Sequence, residues 1–219
     1  MTAPSAMPSF DRLASVYRWL EWCSFGPYLG RSRQAWLSRM SDCRRALVIG
    51  DGDGRFTARL LRANPAVEID AVDSSSAMLR SLMRRAGAHC QRVHPRVADA
   101  RELQFAGPRR YDLVVTHFFL DCLTTGEIHS LAAAIRPSLL PGARWVVSEF
   151  DLPPGRFGRF VAAPLVSGLY RTFGLLTGLG VRRLPDHRAA LGDAEFHLAA
   201  KRTWLRGLLV SELWVKARM

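Results

Sequence analysis

The stretch Ala46-Leu47-Val48-Ile49-Gly50-Asp51-Gly52-Asp53-Gly54-Arg55-Phe56 constrains this chain most strongly. Four apolar residues predict a short, fully buried strand, and three glycines at alternate positions then lead into a helix, Phe56–Ala63. Glycine tolerates positive φ and lets a ligand approach the main chain with no Cβ in the way. The start of the following helix offers unpaired N–H groups to a polar or anionic ligand. Nineteen residues beyond Gly54, a second apolar strand, Val67–Val72, ends in Asp73, where an acidic side chain is placed to hydrogen-bond ribose hydroxyls.

A chain of 219 residues with 48% hydrophobic and 23% charged residues accommodates one α/β domain with a sizeable core. The expected organisation is a single domain over 1–219: a helical cap at 1–45, a ligand-binding core at 46–150, a lid at 151–190 and closing strands at 191–219. The net charge is +12, and every basic residue except Lys201 and Lys216 is arginine. Leu152 to the C-terminus alone holds eleven basic and four acidic residues. Such an excess suits phosphates, nucleic acid, an anionic membrane surface or acidic substrates, and equally a solvated basic face. Cys23, Cys43, Cys90 and Cys122 form no CxxC pair, so reduced thiols are expected and a metal site is not. Met1–Ser9 does not read as a signal peptide, and no run reaches the ~18 apolar residues that span a bilayer. A cytoplasmic protein is expected, with peripheral membrane contact as a further option.

Helical spacing is read over Phe10–Cys23 and Arg31–Met40, with a loop at Ser24–Gly30. Ser75–Ala86 is a helix favoured by the Asp73-Ser74-Ser75-Ser76 cluster. Cys90–Val97 is a weak strand ending at Ala98-Asp99-Ala100. Tyr111–Thr116 is a buried strand running into His117-Phe118-Phe119. Glu127–Leu139 is a helix stopped by Pro141-Gly142, and Arg144–Phe150 is the fifth strand. Strands alternating with helix-length segments predict a doubly wound, mostly parallel sheet, and ligands in such sheets lie beyond the carboxyl ends of the strands. Glu195–Leu205 and Leu208–Ala217 are expected as two antiparallel strands that complete seven.

In their order and spacing, Ala46–Gly54, Asp73, Ala98-Asp99-Ala100, Tyr111–Thr116 and Leu140-Pro141-Gly142 resemble class I S-adenosylmethionine-dependent methyltransferases. Phe10–Tyr17 and Ser148-Glu149-Phe150 look like the ubiquinone/menaquinone C-methyltransferase-like branch. The resemblance implies a Rossmann-like methyltransferase fold with S-adenosyl-L-methionine as cofactor. Gly50, Asp51 and Gly52 would pass under its methionine part, Asp73 with Ser74 beside it would hold the ribose, and Asp99 with Ala100 the adenine. Thr116 and His117 would flank the sulfonium, and Tyr17 would close over the site. That family usually carries an acidic residue where this chain has Val48; Asp51 or Asp53 could serve in its place. Each residue also has a plainer role: Asp73 as a helix cap, Asp99 as a turn residue, Tyr17 and His117 as packed side chains.

Methyl transfer asks the protein to align the partners and exclude water, with a base for some acceptors. His117 is the first candidate base, with Asp121, Glu149 and Tyr170 behind it. The segment 151–180 combines apolar, aromatic and basic residues, which suits a small hydrophobic acceptor, quinone-, phenol- or lipid-like, carrying an anionic group. It would also suit an anionic membrane surface. Alternatives are an RNA or nucleic-acid-binding methyltransferase and a non-catalytic cofactor-binding domain. Against a nicotinamide-dependent dehydrogenase, Gly50-x-Gly52-x-Gly54 lacks the G-x-G-x-x-G spacing.

Overall fold

The computed structural model describes Phe25 and residues 27–104, 110–168 and 184–217. The expected helix Phe10–Cys23, Tyr17, and the lid positions 169–183 with Tyr170 lie outside the described residues. The elements are α1 (Pro27–Arg33), β1 (Arg45–Ile49), α2 (Arg55–Ala63), β2 (Glu68–Asp73), α3 (Ser76–Ala86), β3 (Val93–Val97), β4 (Tyr111–His117), α4 (Thr125–Ile135), β5 (Leu139–Phe150), α5 (His187–Asp193), β6 (Phe196–Trp204) and β7 (Leu209–Lys216). The seven strands form one sheet in the order β3-β2-β1-β4-β5-β7-β6. The first five run parallel, and β7 pairs antiparallel with both β5 and β6, as expected.

β1 is buried on both faces, with Ala46, Leu47, Val48 and Ile49 at most 1% exposed. Its side chains alternate between two cores. Leu47 and Ile49 pack with α4, α5, Trp145 and Trp214, whereas Ala46 and Val48 pack with α2, α3, Trp36 and Met40. A third cluster stands at the carboxyl end of the sheet: Phe25, Leu29, Phe118, Ala162, Val166, Leu208 and Leu209. The helical stretch 155–168, which includes a π-type turn at Gly158–Ala162, supplies two of these residues. The described part of the lid thus covers the end of the sheet where ligands of such folds lie. On its other side Phe160, Val161 and Leu165 are exposed beside Arg156 and Arg159.

Several boundaries differ from those the sequence predicts, among them the starts of β3, at Val93 after a 3-10 turn rather than at Cys90, and of β5, at Leu139 rather than at Arg144. The helix expected over Arg31–Met40 is instead Pro27–Arg33 followed by a 3-10 turn, Leu37–Met40. Proline is favoured at a helix start, and the chain breaks after Arg33 so that Ala35, Trp36 and Met40 can enter the core. Arg202 holds that break, stacking on Trp36 and donating to the Ala35 carbonyl at 2.8 Å. α4 begins two residues before the expected Glu127, because Thr124 and Glu127 form a reciprocal capping box. It ends at Ile135, and Pro141-Gly142 lies inside the long strand β5 next to an irregularity in the β4 pairing, rather than stopping a helix.

The chain returns from the lid through a buried charge network. Glu212 on β7 is fully buried and accepts from His187 Nε2 at 3.0 Å, Arg188 Nε at 2.7 Å and Trp214 Nε1 at 3.1 Å. Arg188 and Lys201 also reach Asp151, at 2.7 and 3.4 Å. Burial alone would raise the Glu212 carboxyl, but the His187 and Arg188 contacts outweigh it and hold its pKa at about 2 against an ordinary 4.5. A depressed carboxylate stabilises the fold above its unfolded pKa and loses that contribution as pH falls towards the folded one. We predict that Glu212→Gln lowers the urea unfolding free energy by on the order of 3 kcal/mol at pH 7, with the gap to wild type closing between pH 4.5 and 2. A gap independent of pH would contradict the network.

Candidate active site at the carboxyl ends of the parallel strands

The register of the central strands sets the site. Ile49, the last residue of β1, pairs with Val72 of β2 and with Thr116 of β4, and Asp73 pairs with Val97 of β3. The loop after β1, Asp73-Ser74, Asp99-Ala100 and Thr116-His117 therefore emerge along one rim. Ala98 N–H donates to the Asp73 carbonyl at 3.1 Å, which ties the β2 and β3 ends together.

The loop takes the conformation its glycines allow, with φ of 70°, 59° and 79° at Gly50, Gly52 and Gly54. Their surroundings differ. The Phe119 ring lies against the face of Gly50 where a Cβ would stand, and Leu82 fills the same space at Gly54. At Gly52 the nearest atom is Met78 Sδ at 4.0 Å. Of the three positions expected under a ligand, Gly52 is the one with open backbone. Gly50 is roofed by Phe119, and Asp51 turns inward to accept from the Thr57 N–H at 2.8 Å, in the first turn of α2. Burial raises the Asp51 carboxyl above its ordinary range. Asp53 pairs with Arg55 and Arg85. Both acids that could have stood in for a carboxylate at position 48 are thus engaged within the protein.

Asp73 and Asp99 are held alike. Each Oδ1 accepts the N–H two residues on, of Ser75 at 2.9 Å and of Arg101 at 2.9 Å, fixing the carboxylates at the ends of β2 and β3. The helix-capping role open to Asp73 falls to Ser75, whose hydroxyl accepts from Met78 N–H. Ala100 is buried in the core beside Asp99. Along the rim Asp99, Asp73 and the uncovered Gly52 follow one another in the strand order β3-β2-β1, so two fixed carboxylates and bare backbone are offered side by side to a polar ligand.

Thr116 and His117 point to opposite faces. The buried Thr116 hydroxyl accepts from Trp145 Nε1 at 3.0 Å and faces the α4 side, so it is committed to the core rather than placed over a ligand. His117 is 3% exposed and packs edge-on against Phe56 with centroids 4.6 Å apart. Neither ring nitrogen has a hydrogen-bond partner among the described residues. Burial, with the Arg33 charge nearby, drives its pKa well below the ordinary 6.5, so the imidazole is neutral at pH 7.

The following turn is strained and pinned. Phe118 takes φ 53°, rare for a bulky residue. Its N–H donates to the Ser148 carbonyl, and Glu149 Oε1 accepts from the N–H groups of Phe119 and Leu120 at 3.1 and 2.8 Å. Glu149 Oε2 has no partner among the described residues, and burial beside Asp121 raises this carboxyl well above the usual range. Sequence reasoning places Glu149 among the bases; the structure shows it holding the loop that carries Phe118 and Phe119. Arg33, which stacks 5.1 Å from the Phe118 ring, gives no signal of this contact in the sequence, because Phe118 lies over 80 residues away.

Residues 47–145 match a family described as a methyltransferase domain, which spans β1 to β4 and the first half of β5. No curated protein sequence is similar enough to match. Among solved structures, a presumed O-methyltransferase of Nostoc punctiforme superposes with TM-score 0.71 at 18% identity, over 98% of this chain and 64% of its own. The mitomycin 7-O-methyltransferase MmcR gives 0.69 at 16%, over 95% and 61%. The N-methyltransferase NodS of Bradyrhizobium japonicum, in complex with S-adenosyl-L-homocysteine, gives 0.59 at 14%, over 86% and 87%. This chain thus spans less than two thirds of the first two. The fold is the Rossmann-like methyltransferase fold.

Because the folded imidazole of His117 resists protonation, the unfolded chain takes up a proton first as pH falls below about 6.5. We predict that the stability difference between wild type and His117→Gln, from urea unfolding, shrinks below pH 6.5 by up to about 1.4 kcal/mol per unit. Parallel curves from pH 8 to 5.5 would show that His117 is hydrated and titrates normally.

Proposed function

We propose that this protein is an S-adenosylmethionine-dependent methyltransferase acting on a small hydrophobic acceptor. The observation that carries this reading is the rim itself: open backbone at Gly52, with Asp73 next to it and Asp99 one strand further on, inside the stretch that matches the methyltransferase domain. Asp73 would hold the ribose hydroxyls, Asp99 the adenine edge, and Gly52 would pass beneath the methionine part. The cofactor supplies, when bound, an activated methyl group on sulfur. The chain's own contribution is alignment and exclusion of water.

The acceptor side supports an apolar, aromatic compound. Phe25 and Phe118 both pack against Phe150, at 5.0 and 5.3 Å between centroids, and Phe157 joins them from the lid. Aromatic side chains of this kind favour flat rings, including quinones and phenols. Phe10–Tyr17 and Ser148-Glu149-Phe150 favour the quinone C-methyltransferase-like branch within this class. His117, neutral and without a hydrogen-bond partner among the described residues, can accept a hydrogen bond from a hydroxyl presented beside Phe56, whereas the burial that opposes its protonation weakens it as the base.

Calorimetric titration tests the reading. S-adenosylmethionine and S-adenosylhomocysteine should bind while NAD does not, and Asp73→Ala should weaken both sulfur compounds by at least ~1.5 kcal/mol through loss of charge-assisted hydrogen bonds. Unchanged affinity in a variant with a native melting profile would remove Asp73 from the site, and preference for NAD would refute the assignment.

A further inference from the structure

Adjoining the loop after β1, but with none of Gly52, Asp73 or Asp99 in its lining, a cavity of about 430 Å³ lies between α1 and α2. Five arginines line it, and no acidic residue does. Arg55, Arg59 and Arg62 stand at i, i+4 and i+7 of α2, on one face, while Phe56, Leu60 and Leu61 of the same helix turn into the protein. Arg33 comes from the end of α1 and Arg85 from the end of α3. Like charges three and four apart work against a helix, so this stripe is a standing cost unless an anion lies between them.

The compensation within the protein is partial, and Arg33 lies within electrostatic reach of Asp51. Asp53 serves two of the five, accepting from Arg55 Nε at 3.2 Å and Arg85 Nη2 at 2.9 Å. Arg59 donates to Gln34 Oε1 at 2.6 Å, a neutral partner. Arg62 makes no ion pair among the described residues. Several positive charges therefore converge on one concavity, where field lines concentrate and a multiply charged anion gains most.

Guanidinium groups present paired N–H donors that match phosphate oxygens. The volume suits one small molecule, and the wall is not polar throughout, since Leu29, Phe56 and Ala58 contribute to it. A concave wall of mixed character selects a compact anion with an apolar body, whereas an extended polynucleotide would need a stripe open at both ends. We propose that this cavity binds the diphosphate group of a small organic molecule, at a site separate from the nucleoside rim. Two residues link the sites: Phe56 lines the cavity and packs on His117, and Arg33 lines it and stacks near Phe118.

Inorganic pyrophosphate is the probe, titrated calorimetrically into the full chain at low and moderate salt. Wild type should bind one equivalent. Arg59→Gln/Arg62→Gln should weaken binding at least tenfold, Arg62→Gln alone by less, and Arg96→Gln on the exposed edge strand β3 not at all. Thermal melts check that each variant is folded. S-adenosylhomocysteine affinity should be the same in all of them, which separates failure here from failure of the methyltransferase reading. The proposal is overturned if pyrophosphate gives no binding or binds all variants equally. Displacement of pyrophosphate by S-adenosylhomocysteine would make the cavity part of the cofactor site and overturn it too. So would single-stranded RNA binding that pyrophosphate cannot displace, which would mark a nucleic-acid surface.

Discussion

The structure depends on β1 being hydrogen-bonded in parallel to β2 on one side and β4 on the other, in a register that ends all three together. Every side chain of β1 after Arg45 is buried, alternately in the two cores, so a slip by one residue would exchange the faces of the whole strand. With that register locked, the loops after β1, β2 and β4 have no choice but to open at one rim. β3 is added through Asp73 and Ala98, which brings Asp99 to the same line. The proximity of the candidate ligand-binding groups is thus a result of core packing and asks nothing further of the loops.

The loop after β4 shows how tertiary contacts then shape the site. Phe118 sits in the left-handed region, which costs on the order of 1 kcal/mol, and is kept there by Ser148 and by Glu149 beneath the next two amides. That turn sends Phe118 up to the lid cluster and Phe119 down onto Gly50. The buried His117 and Glu149 and the half-buried Asp51 are ionisable groups near this turn, and desolvation opposes the charged form of each. His117 and Glu149 each carry an atom with no hydrogen-bond partner among the described residues, in a region otherwise well paired.

Much of this is legible in the sequence because it is local. The glycines at 50, 52 and 54 announce positive φ, the apolar run at 46–49 a buried strand, and Asp73 and Asp99 the strand ends. The antiparallel closing strands fall within one residue of the ranges that alternation predicts. What the sequence does not disclose depends on partners distant along the chain. Thr116 sits at the expected strand end, yet whether its hydroxyl faces ligand or core is decided by Trp145, 29 residues on. Gly50 reads as an opening for a ligand, but Phe119 fills it. The arginine excess draws the eye to the last third, whereas the cavity that gathers five of them is built from residues 27 to 85. Helical spacing places Arg55, Arg59 and Arg62 on one face, but nothing local says that Arg33 and Arg85 meet them.

In the proposed binding mode, Asp73 and Asp99 at the strand ends hold an adenosine, and the bare backbone of Gly52 next to Asp73 takes the amino-acid part. The most direct test of this mode is a crystal structure with S-adenosylhomocysteine bound. Ribose hydroxyls are expected within hydrogen-bonding distance of the Asp73 carboxylate, the adenine edge at Asp99, and the homocysteine chain crossing Gly52. Nucleoside density in the arginine-lined cavity, or elsewhere away from these two carboxylates, would contradict it.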